Sequence, residues 1–376
     1  MTTAAVSLLP EYGTGSLADL MPSVAAGQGV PGYDNRLGLA SVRQVVVLLV
    51  DGLGWDLLRT SLDDAPFLAS YVPGGRSLTC GFPSTTATSM GSFGTGEAPG
   101  THGLLGYTFR LPAAAQVINA LTWNTDANPL DVQPVATVFE RASAAGVRVN
   151  HVALRKFDGS GLTRAALRGA TSPGADTMGE AVEATRQALE AGGRSITYVY
   201  TGDLDNVGHL RGCGSSGWRA QLAHVDLLAS QLAALLPADA VLYVTADHGM
   251  VDVDAEYRID LESDATLLSG VHALGGEPRA RHVYAQPGAE ADVLATWQGK
   301  LAEDFWVLSR AEAVAAGLFG PTLDRVLPSI GDVVAVARGP AALVTPKAHP
   351  METRLVGHHG ALTSAELYVP LLSLGG

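Results

Sequence analysis

Short, continuous apolar runs alternate with stretches of mixed polarity along most of the chain. Residues 45–50 are Val-Val-Val-Leu-Leu-Val, and residues 196–200 and 240–245 form similar runs of strand length. Such runs are typical of strands buried on both faces, as in a parallel sheet with helices on each side. Apolar residues recur at helical spacing over 218–235 and mark one long amphipathic helix. The pattern therefore predicts an α/β fold built on a parallel sheet.

Beyond about residue 258 the same alternation continues in shorter pieces. We interpret 258–345 as an inserted α+β subdomain, and 1–257 together with 346–376 as the core into which it is inserted. The pieces on which this depends are strand-like patterns at 282–286, 305–308, 332–337 and 342–344, and helix-like patterns at 289–303 and 310–317.

Composition limits the class of protein. The chain has 376 residues, of which 47% are hydrophobic and 16% are charged, and this suits a compact globular protein better than a disordered chain. Its net charge of -13 argues against a surface that coats nucleic acid. A small phosphorylated substrate stays compatible with this acidity, because bound metal cations can reverse the local sign of charge.

The sequence also suggests a location. The first ten residues lack the basic and long apolar regions of a secretory signal, and the run 45–50 is too short to span a bilayer. Two cysteines, Cys80 and Cys213, suit a reducing compartment, although a single disulfide between them is an open alternative. We therefore expect a cytoplasmic protein without a membrane partner. The oligomeric state is left open.

Acidic and histidine side chains follow successive predicted strands, and more histidines lie near the C-terminus. In α/β proteins the carboxyl ends of parallel strands are where sites are built. Carboxylate and imidazole together favour zinc, with manganese as the alternative, and the inventory is large enough for two ions. Taken singly, each group has a structural explanation as a helix cap or a surface residue; their order along the strands favours one shared site. They are Asp51, Asp205, His209, Asp247, His248, His358 and His359.

Five hydroxyl residues lie within 84–89, behind Pro83 and ahead of small, helix-compatible residues. Because Pro83 cannot lie inside a helix, the run predicts a loop that turns into a helix, with hydroxyls at its N-terminus. The free N–H groups there attract an anion. A hydroxyl placed between two metal ions would lose its proton readily and attack phosphorus.

At this point the chain resembles the alkaline phosphatase superfamily, and most closely its type I phosphodiesterase/nucleotide pyrophosphatase branch. The resemblance implies a doubly wound, mostly parallel α/β sheet with helices on both faces, and two zinc ions. The matching motifs span nearly the whole chain in the family's order: Val50-Asp51-Gly52, Phe82-Pro83-Ser84-Thr85-Thr86, Asp205-Asn-Val-Gly-His209, Thr245-Ala-Asp247-His248-Gly249 and Gly357-His358-His359-Gly360.

The resemblance also implies roles for individual residues. Thr86, three residues after the proline, would be the nucleophile, and a phosphothreonine intermediate would then be hydrolysed. His359 is preferred over His358 because the family pattern is Gly-x-His-Gly. One metal site would use Asp51, Asp247 and His248 with the Thr86 oxygen, and the other Asp205, His209 and His359.

The chain departs from the nucleotide-cleaving members beside the nucleophile. Ala87 stands where those members carry an aromatic residue that stacks the base, and Ser89 stands where they carry an asparagine. We expect Ser89 to contact phosphate still, as a shorter hydrogen-bonding group. Arg279 and Arg281, early in the insertion, are candidates for holding a second substrate anion; a structural role in a turn is the equal alternative.

These observations predict a dinuclear-metal phosphodiesterase, similar to a nucleotide pyrophosphatase, that acts on a small phosphodiester or pyrophosphate. The first alternative is a phosphomonoesterase or phosphonate hydrolase on the same site, for which Arg279 or Arg281 would supply the extra positive charge. A non-catalytic binding protein on this fold is a weaker alternative, because every metal-ligand position that matches the family is intact.

Overall fold

The computed structural model describes residues 6, 8–114 and 116–375. Its central sheet has the strand order β2-β16-β7-β1-β6-β5. In chain order the strands are β1 (Gln44–Val50), β2 (Arg76–Thr79), β3 (Thr108–Leu111), β4 (Gln116–Asn119), β5 (Arg148–Val152), β6 (Ser195–Thr201), β7 (Ala240–Thr245), β8 (Val251–Asp252), β9 (Arg258–Asp260), β10 (Val271–Glu277), β11 (Ala280–Ala285), β12 (Phe305–Ser309), β13 (Val333–Ala337), β14 (Ala342–Val344), β15 (Gly357–His358) and β16 (Tyr368–Gly375).

Helices connect these strands and cover the sheet. The predicted helix over 218–235 corresponds to a helix that begins at Ser216, ends at Ala234 and buries Trp218 and Leu222. The helices are α1 (Leu20–Gly27), α2 (Trp55–Thr60), α3 (Pro66–Ala69), α4 (Thr86–Thr95), α5 (Pro99–His102), α6 (Pro129–Val132), α7 (Val138–Ala144), α8 (Gly161–Ala166), α9 (Met178–Glu190), α10 (Asp203–Arg211), α11 (Ser216–Ala234), α12 (Ala265–Leu268), α13 (Glu290–Leu301), α14 (Arg310–Ala315) and α15 (Ser364–Leu367).

The centre of the sheet explains the apolar runs in the sequence. Strand β1 lies between β6 and β7 and pairs in parallel with both. Every residue of β1 and of β7 is buried, so both faces of the sheet are covered there. The predicted mostly parallel α/β sheet is confirmed.

One strand of the central sheet runs the other way. Strand β16 is antiparallel to both β7 and β2. The segment that precedes β16 therefore reaches the sheet at the edge where the parallel strands end. This reversal brings residues from near the C-terminus of the chain to the same edge as Asp51.

A second sheet lies within the segment 258–345. Its order is β10-β11-β13-β12, and each neighbouring pair is antiparallel. Strands β9 and β14 pair in parallel where the segment leaves and rejoins the rest of the chain. The observed elements fit an inserted α+β subdomain, although its boundaries at 258 and 345 stay a prediction.

A buried ion pair joins the second sheet to the core. The Arg279 guanidinium donates hydrogen bonds to both Glu366 oxygens, at 2.7 Å each, and both side chains are fully buried. The hairpin β3–β4 also contacts the second sheet, where the Thr108 hydroxyl donates to the Gly276 carbonyl at 2.8 Å. Among the helices that the structure describes, none has the length and apolar character needed to cross a membrane.

Candidate active site and metal centre

Two clusters of carboxylates and imidazoles lie at the carboxyl edge of the central sheet. In the first, ligand atoms of Asp51, Asp247 and His248 lie within 4.8 Å of one another. Asp51 directly follows β1, and the other two residues follow β7. Parallel neighbouring strands end at the same edge, so this cluster is a direct consequence of strand order.

The second cluster has one carboxylate and two imidazoles, whereas the first has two carboxylates and one imidazole. Ligand atoms of Asp205, His209 and His359 also lie within 4.8 Å of one another. Asp205 and His209 are one helical turn apart on α10, which follows β6, and His359 lies in the segment that leads to β16. The structure thus brings together the six predicted metal ligands in the two predicted groups.

A glycine permits the two clusters to approach each other. Gly52 has a φ of +73°, and a Cβ atom at this position would lie 3.0 Å from the Cβ atom of Asp205. A side chain there would push α10 away from the end of β1. The Asp51-Gly52 pair therefore supplies both a ligand and the room for the second cluster.

Thr86 lies beside the first cluster as the first residue of α4. Its Oγ1 is 3.4 and 3.5 Å from the two Asp51 oxygens and 3.3 Å from His248 Nε2. Thr85, with extended backbone, is the N-cap of the helix. The hydroxyl therefore lies at the positive end of a helix, where free N–H groups favour an incoming phosphate.

Each imidazole in the two clusters is held by a backbone carbonyl. The Nδ1 atoms of His209, His248 and His359 lie 2.8, 2.9 and 2.8 Å from the carbonyl oxygens of Gly357, Gly249 and Ser84. A carbonyl only accepts, so Nδ1 carries the proton and each Nε2 keeps its lone pair. This is how metal-binding histidines are usually oriented.

The carboxylates offer free lone pairs as well. Asp247 Oδ2 and Asp205 Oδ1 are buried and have no hydrogen-bond partner. The other Asp247 oxygen accepts from the N–H groups of Gly52 and His248, at 3.1 and 3.0 Å. Buried carboxylate oxygens without partners are unfavourable, so each cluster has an acceptor that a cation would satisfy.

The pKa values of the carboxylates and imidazoles also indicate that both clusters need positive charge. Burial and the Asp247 charge raise the pKa of Asp51 well above its usual range, and burial with the Asp51 charge does so for Asp205. Burial and the Asp205 charge raise the pKa of Asp247 to about 7. Burial, with His248 and His209 nearby, lowers the pKa of His359 well below its usual value. Neutral imidazoles and crowded carboxylates fit two divalent cations.

The residues predicted to bind substrate have other partners. The Ser89 side chain is fully buried and its hydroxyl donates to the Asp247 backbone carbonyl at 2.6 Å. Arg279 pairs with Glu366, and Arg281, 2% exposed, pairs with Glu352 at 2.8 Å. All three side chains thus have partners within the fold, which is the structural alternative for the two arginines, and a substrate contact by any of them stays a prediction.

Sequence reasoning missed Tyr200, whose hydroxyl donates a hydrogen bond to Asp51 Oδ2. Burial and the charges of Asp51 and Asp247 raise the pKa of Tyr200 well above its usual value, so the phenol keeps its proton. Its place near the end of β6, paired with Leu49 of β1, is the signal that could have identified it.

Two cavities adjoin the clusters. The larger, about 430 Å³, reaches from Asp51 and Thr86 along Tyr200 to Phe157 and Lys156. The smaller, about 230 Å³, adjoins the second cluster and is lined in part by Tyr107 and by Glu277 and Glu352, two carboxylates that the sequence did not identify as site residues. Thr86, Leu121 and Asp205 line both cavities. A substrate bound between the clusters therefore has room for a substituent in either cavity.

Comparison with known proteins agrees with this geometry. Residues 45–362 match the family model described as type I phosphodiesterase / nucleotide pyrophosphatase. A search of curated protein sequences finds no match.

Solved structures share the fold. Murine ectonucleotide pyrophosphatase/phosphodiesterase 5 superposes with a TM-score of 0.72 at 18% identity, over 88% of each chain. An inactive variant of that protein in complex with AMP gives the same TM-score at 18% identity, over 89% of this chain and 88% of the other. Phosphonoacetate hydrolase from Sinorhizobium meliloti, in complex with phosphonoformate, gives 0.68 at 20% identity, over 89% and 90%. At these identities the likeness shows the fold alone.

Proposed function

The chain belongs to the type I phosphodiesterase/nucleotide pyrophosphatase family of the alkaline phosphatase superfamily, and from this premise we propose that it is a phosphodiesterase with Thr86 as its nucleophile. It is a metal-dependent phosphoric ester hydrolase by family. The observation that carries the proposal is the position of Thr86 Oγ1, 3.3 Å from His248 Nε2 and 3.4 Å from Asp51, at the positive end of α4.

We assign the two clusters to two divalent ions, with zinc favoured by the mixed carboxylate and imidazole donors and manganese as the alternative. Asp51, Asp247 and His248 would hold one ion, and Asp205, His209 and His359 the other. When bound, the ions supply charge that lowers the pKa of the Thr86 hydroxyl and stabilises negative charge on the phosphoryl oxygens.

The side chains of the protein account for the rest of the chemistry. The Thr86 hydroxyl gives up its proton, Oγ1 attacks phosphorus in line, the bond from phosphorus to the leaving oxygen breaks, and the released alkoxide or phenoxide takes up a proton from solvent, so that a phosphothreonine ester remains. The N–H groups at the start of α4 hold the phosphoryl oxygens. Water then attacks phosphorus from the opposite side, and the Thr86 oxygen leaves and regains its proton.

The arginines bear on the choice between diesters and monoesters. A monoester carries an additional negative charge, for which Arg279 or Arg281 was the expected partner. Both guanidiniums are buried in ion pairs with Glu366 and Glu352 instead. The phosphomonoesterase alternative therefore loses its main support, and the diester stays the favoured substrate. A cytoplasmic location stays a prediction.

The test compares hydrolysis of bis-p-nitrophenyl phosphate by the zinc-loaded protein and by Thr86→Ala and Thr86→Ser variants. We expect Thr86→Ala to lose activity by a factor of roughly a thousand or more, because the attacking oxygen is gone, and Thr86→Ser to retain a measurable part. Metal content, measured by mass spectrometry, should stay near that of the wild type in both variants.

Three results would count against the proposal. Full activity of Thr86→Ala would exclude Thr86 as the nucleophile. A preference for p-nitrophenyl phosphate over the diester would favour the monoesterase, and an inactive, metal-free wild-type protein would favour a binding function.

A further inference from the structure

The larger cavity is polar where it meets the clusters and mostly apolar in its buried part. Thr86 and Asp205 line it on the side of the reaction centre, and the exposed Lys156 lines it as well. A cavity of about 430 Å³ has the size of a site for an organic group. The apolar and aromatic residues of its buried wall, none of them more than 9% exposed, are Met90, Leu162, Leu167 and Tyr198.

His151 is the polar exception in this buried wall. It lies on β5 opposite Tyr198 of β6, and the two rings stack with their centroids 5.1 Å apart and their planes 13° apart. The residue is 4% exposed and lines the cavity. Within the part of the chain that the structure describes, neither ring nitrogen has a hydrogen-bond partner. The wall therefore contains a polar group whose hydrogen bonds the described residues do not supply.

This imidazole is neutral at pH 7, because burial lowers the pKa of His151 to about 4 despite the nearby charge of Asp158. A neutral imidazole has one N–H donor and one nitrogen acceptor. The two tyrosine hydroxyls beside it are already used: that of Tyr198 donates to Met90 Sδ at 3.3 Å, and that of Tyr200 donates to Asp51. Among the described lining residues outside the two clusters, His151 is thus the buried side chain that can still form a hydrogen bond in this cavity.

The affinity of a bound group depends on whether it pairs with this imidazole. Water can satisfy the imidazole in the free protein, and a ligand that displaces such water loses affinity unless it forms the same hydrogen bond. A purely apolar group would leave the imidazole buried without a partner, which costs free energy. An apolar group that carries a hydroxyl would pack against the leucines and also pair with His151. The cavity therefore discriminates between groups of the same shape by their hydrogen bonding.

We propose that the larger cavity is a subsite for an organic substituent of the phosphodiester, and that His151 selects substituents with a hydroxyl or similar hydrogen-bonding group on an otherwise apolar body. This inference rests on the proposed function and narrows its substrate class. Because Thr86 and Asp205 line both cavities, it does not depend on which side of phosphorus carries the substituent. His151 determines specificity and takes no part in the bond changes at phosphorus.

The first test uses two symmetric diesters, bis(p-hydroxymethylphenyl) phosphate and bis(p-ethylphenyl) phosphate. Each carries the same group on both sides of phosphorus, and the two differ by a hydroxyl in place of a methyl. For the zinc-loaded wild type we expect a higher kcat/KM for the hydroxymethyl ester. In His151→Leu, which keeps a similar volume but loses both nitrogens, the ratio of hydroxymethyl to ethyl ester should fall roughly tenfold. His151→Gln, which keeps a hydrogen-bonding group, should retain part of the preference.

A binding measurement separates the subsite from catalysis. NMR titration of the zinc-loaded protein, with isotope-labelled histidines, gives the dissociation constants of benzyl alcohol and toluene. Benzyl alcohol should shift the ring-nitrogen signals of His151, which are identified by their loss in His151→Leu. In that variant the ratio of the two constants should change roughly tenfold in favour of toluene. His224→Leu is the matched control, because His224 is exposed on α11 and does not line the cavity. Circular dichroism and the melting temperature show whether each variant is folded.

The outcomes decide separately for the two claims. If folded His151→Leu keeps the wild-type ester ratio and the wild-type ratio of dissociation constants, the subsite is overturned; equal changes in His224→Leu would overturn it as well. If the zinc-loaded wild type cleaves neither these esters nor bis-p-nitrophenyl phosphate, the proposed function fails. The titrations with benzyl alcohol and toluene then decide the subsite alone, and the same ratio in wild type and His151→Leu overturns it.

Discussion

At the scale of single residues, the site depends on side chains that hold the ligands as much as on the ligands themselves. The Tyr200 hydroxyl donates to Asp51, and three backbone carbonyls fix the imidazoles of His209, His248 and His359. Such supporting contacts set the orientation and basicity of a metal ligand.

Removing the Tyr200 hydroxyl tests this support. In Tyr200→Phe the aromatic ring stays, but Asp51 loses its donor and gains freedom to rotate. We expect zinc affinity or kcat to fall roughly 10- to 100-fold, with the melting temperature of the metal-free protein nearly unchanged. Zinc titration against a competing chelator and steady-state kinetics measure the two quantities. Wild-type zinc affinity and kcat in this variant would show that Asp51 needs no such partner.

Residue spacing identified the ligands but not the supporting or substrate contacts. Asp51, Asp247 and His248 closely follow buried strands, so strand order predicts that their side chains lie close together. Whether Arg279 faces substrate or the core depends on Glu366, which lies 87 residues further along the chain. No local pattern contains that information. For this reason the sequence leaves a substrate contact and a structural role equally open for the two arginines.

At the scale of elements, the Arg279–Glu366 ion pair links the second sheet to the segment directly before β16. Glu366 also accepts from the N–H of Ala361 at 3.1 Å and from the Thr363 hydroxyl at 2.6 Å, so it organises the turn that follows His359. Replacing one partner of a fully buried ion pair leaves the other charge buried and uncompensated. Replacing both partners with apolar residues leaves no buried charge.

We expect Arg279→Met to lower the free energy of unfolding by about 3–5 kcal/mol, and Glu366→Leu to do likewise. The double variant should be less destabilised than the sum of the single ones. Urea denaturation measures all three. Strictly additive losses would show that the two side chains do not act as a pair.

At the scale of the whole molecule, the two clusters join distant parts of the chain. Their ligands run from Asp51 to His359 and come from β1, α10, β7 and the segment before β16. A metal ion that binds only this assembled arrangement stabilises the entire fold by mass action. Buried strands are visible in the sequence as apolar runs, so the fold class could be predicted from them. The shape of the cavities depends on loops from several elements and could not be predicted in this way.

Zinc should therefore raise the melting temperature of the metal-free protein, and the increase should grow with pH. The pKa of Asp247 is raised to about 7, and those of Asp51 and Asp205 are raised as well. Below pH 7 zinc must displace these protons, so its apparent affinity should rise roughly tenfold per pH unit for each proton displaced. Calorimetry in buffers of different ionisation enthalpy counts the protons. Zinc binding without proton release at pH 6 would contradict the raised pKa values of these aspartates.

The central claim is that Thr86 attacks phosphorus and carries the phosphoryl group between two chemical steps. Its most direct test is rapid acid quenching of the zinc-loaded protein during turnover of bis-p-nitrophenyl phosphate, followed by peptide mass spectrometry. We predict a peptide that carries p-nitrophenyl phosphate on Thr86, formed together with a burst of up to about one equivalent of p-nitrophenol. Turnover that continues with no adduct on any peptide, and that persists in Thr86→Ala, would contradict the account.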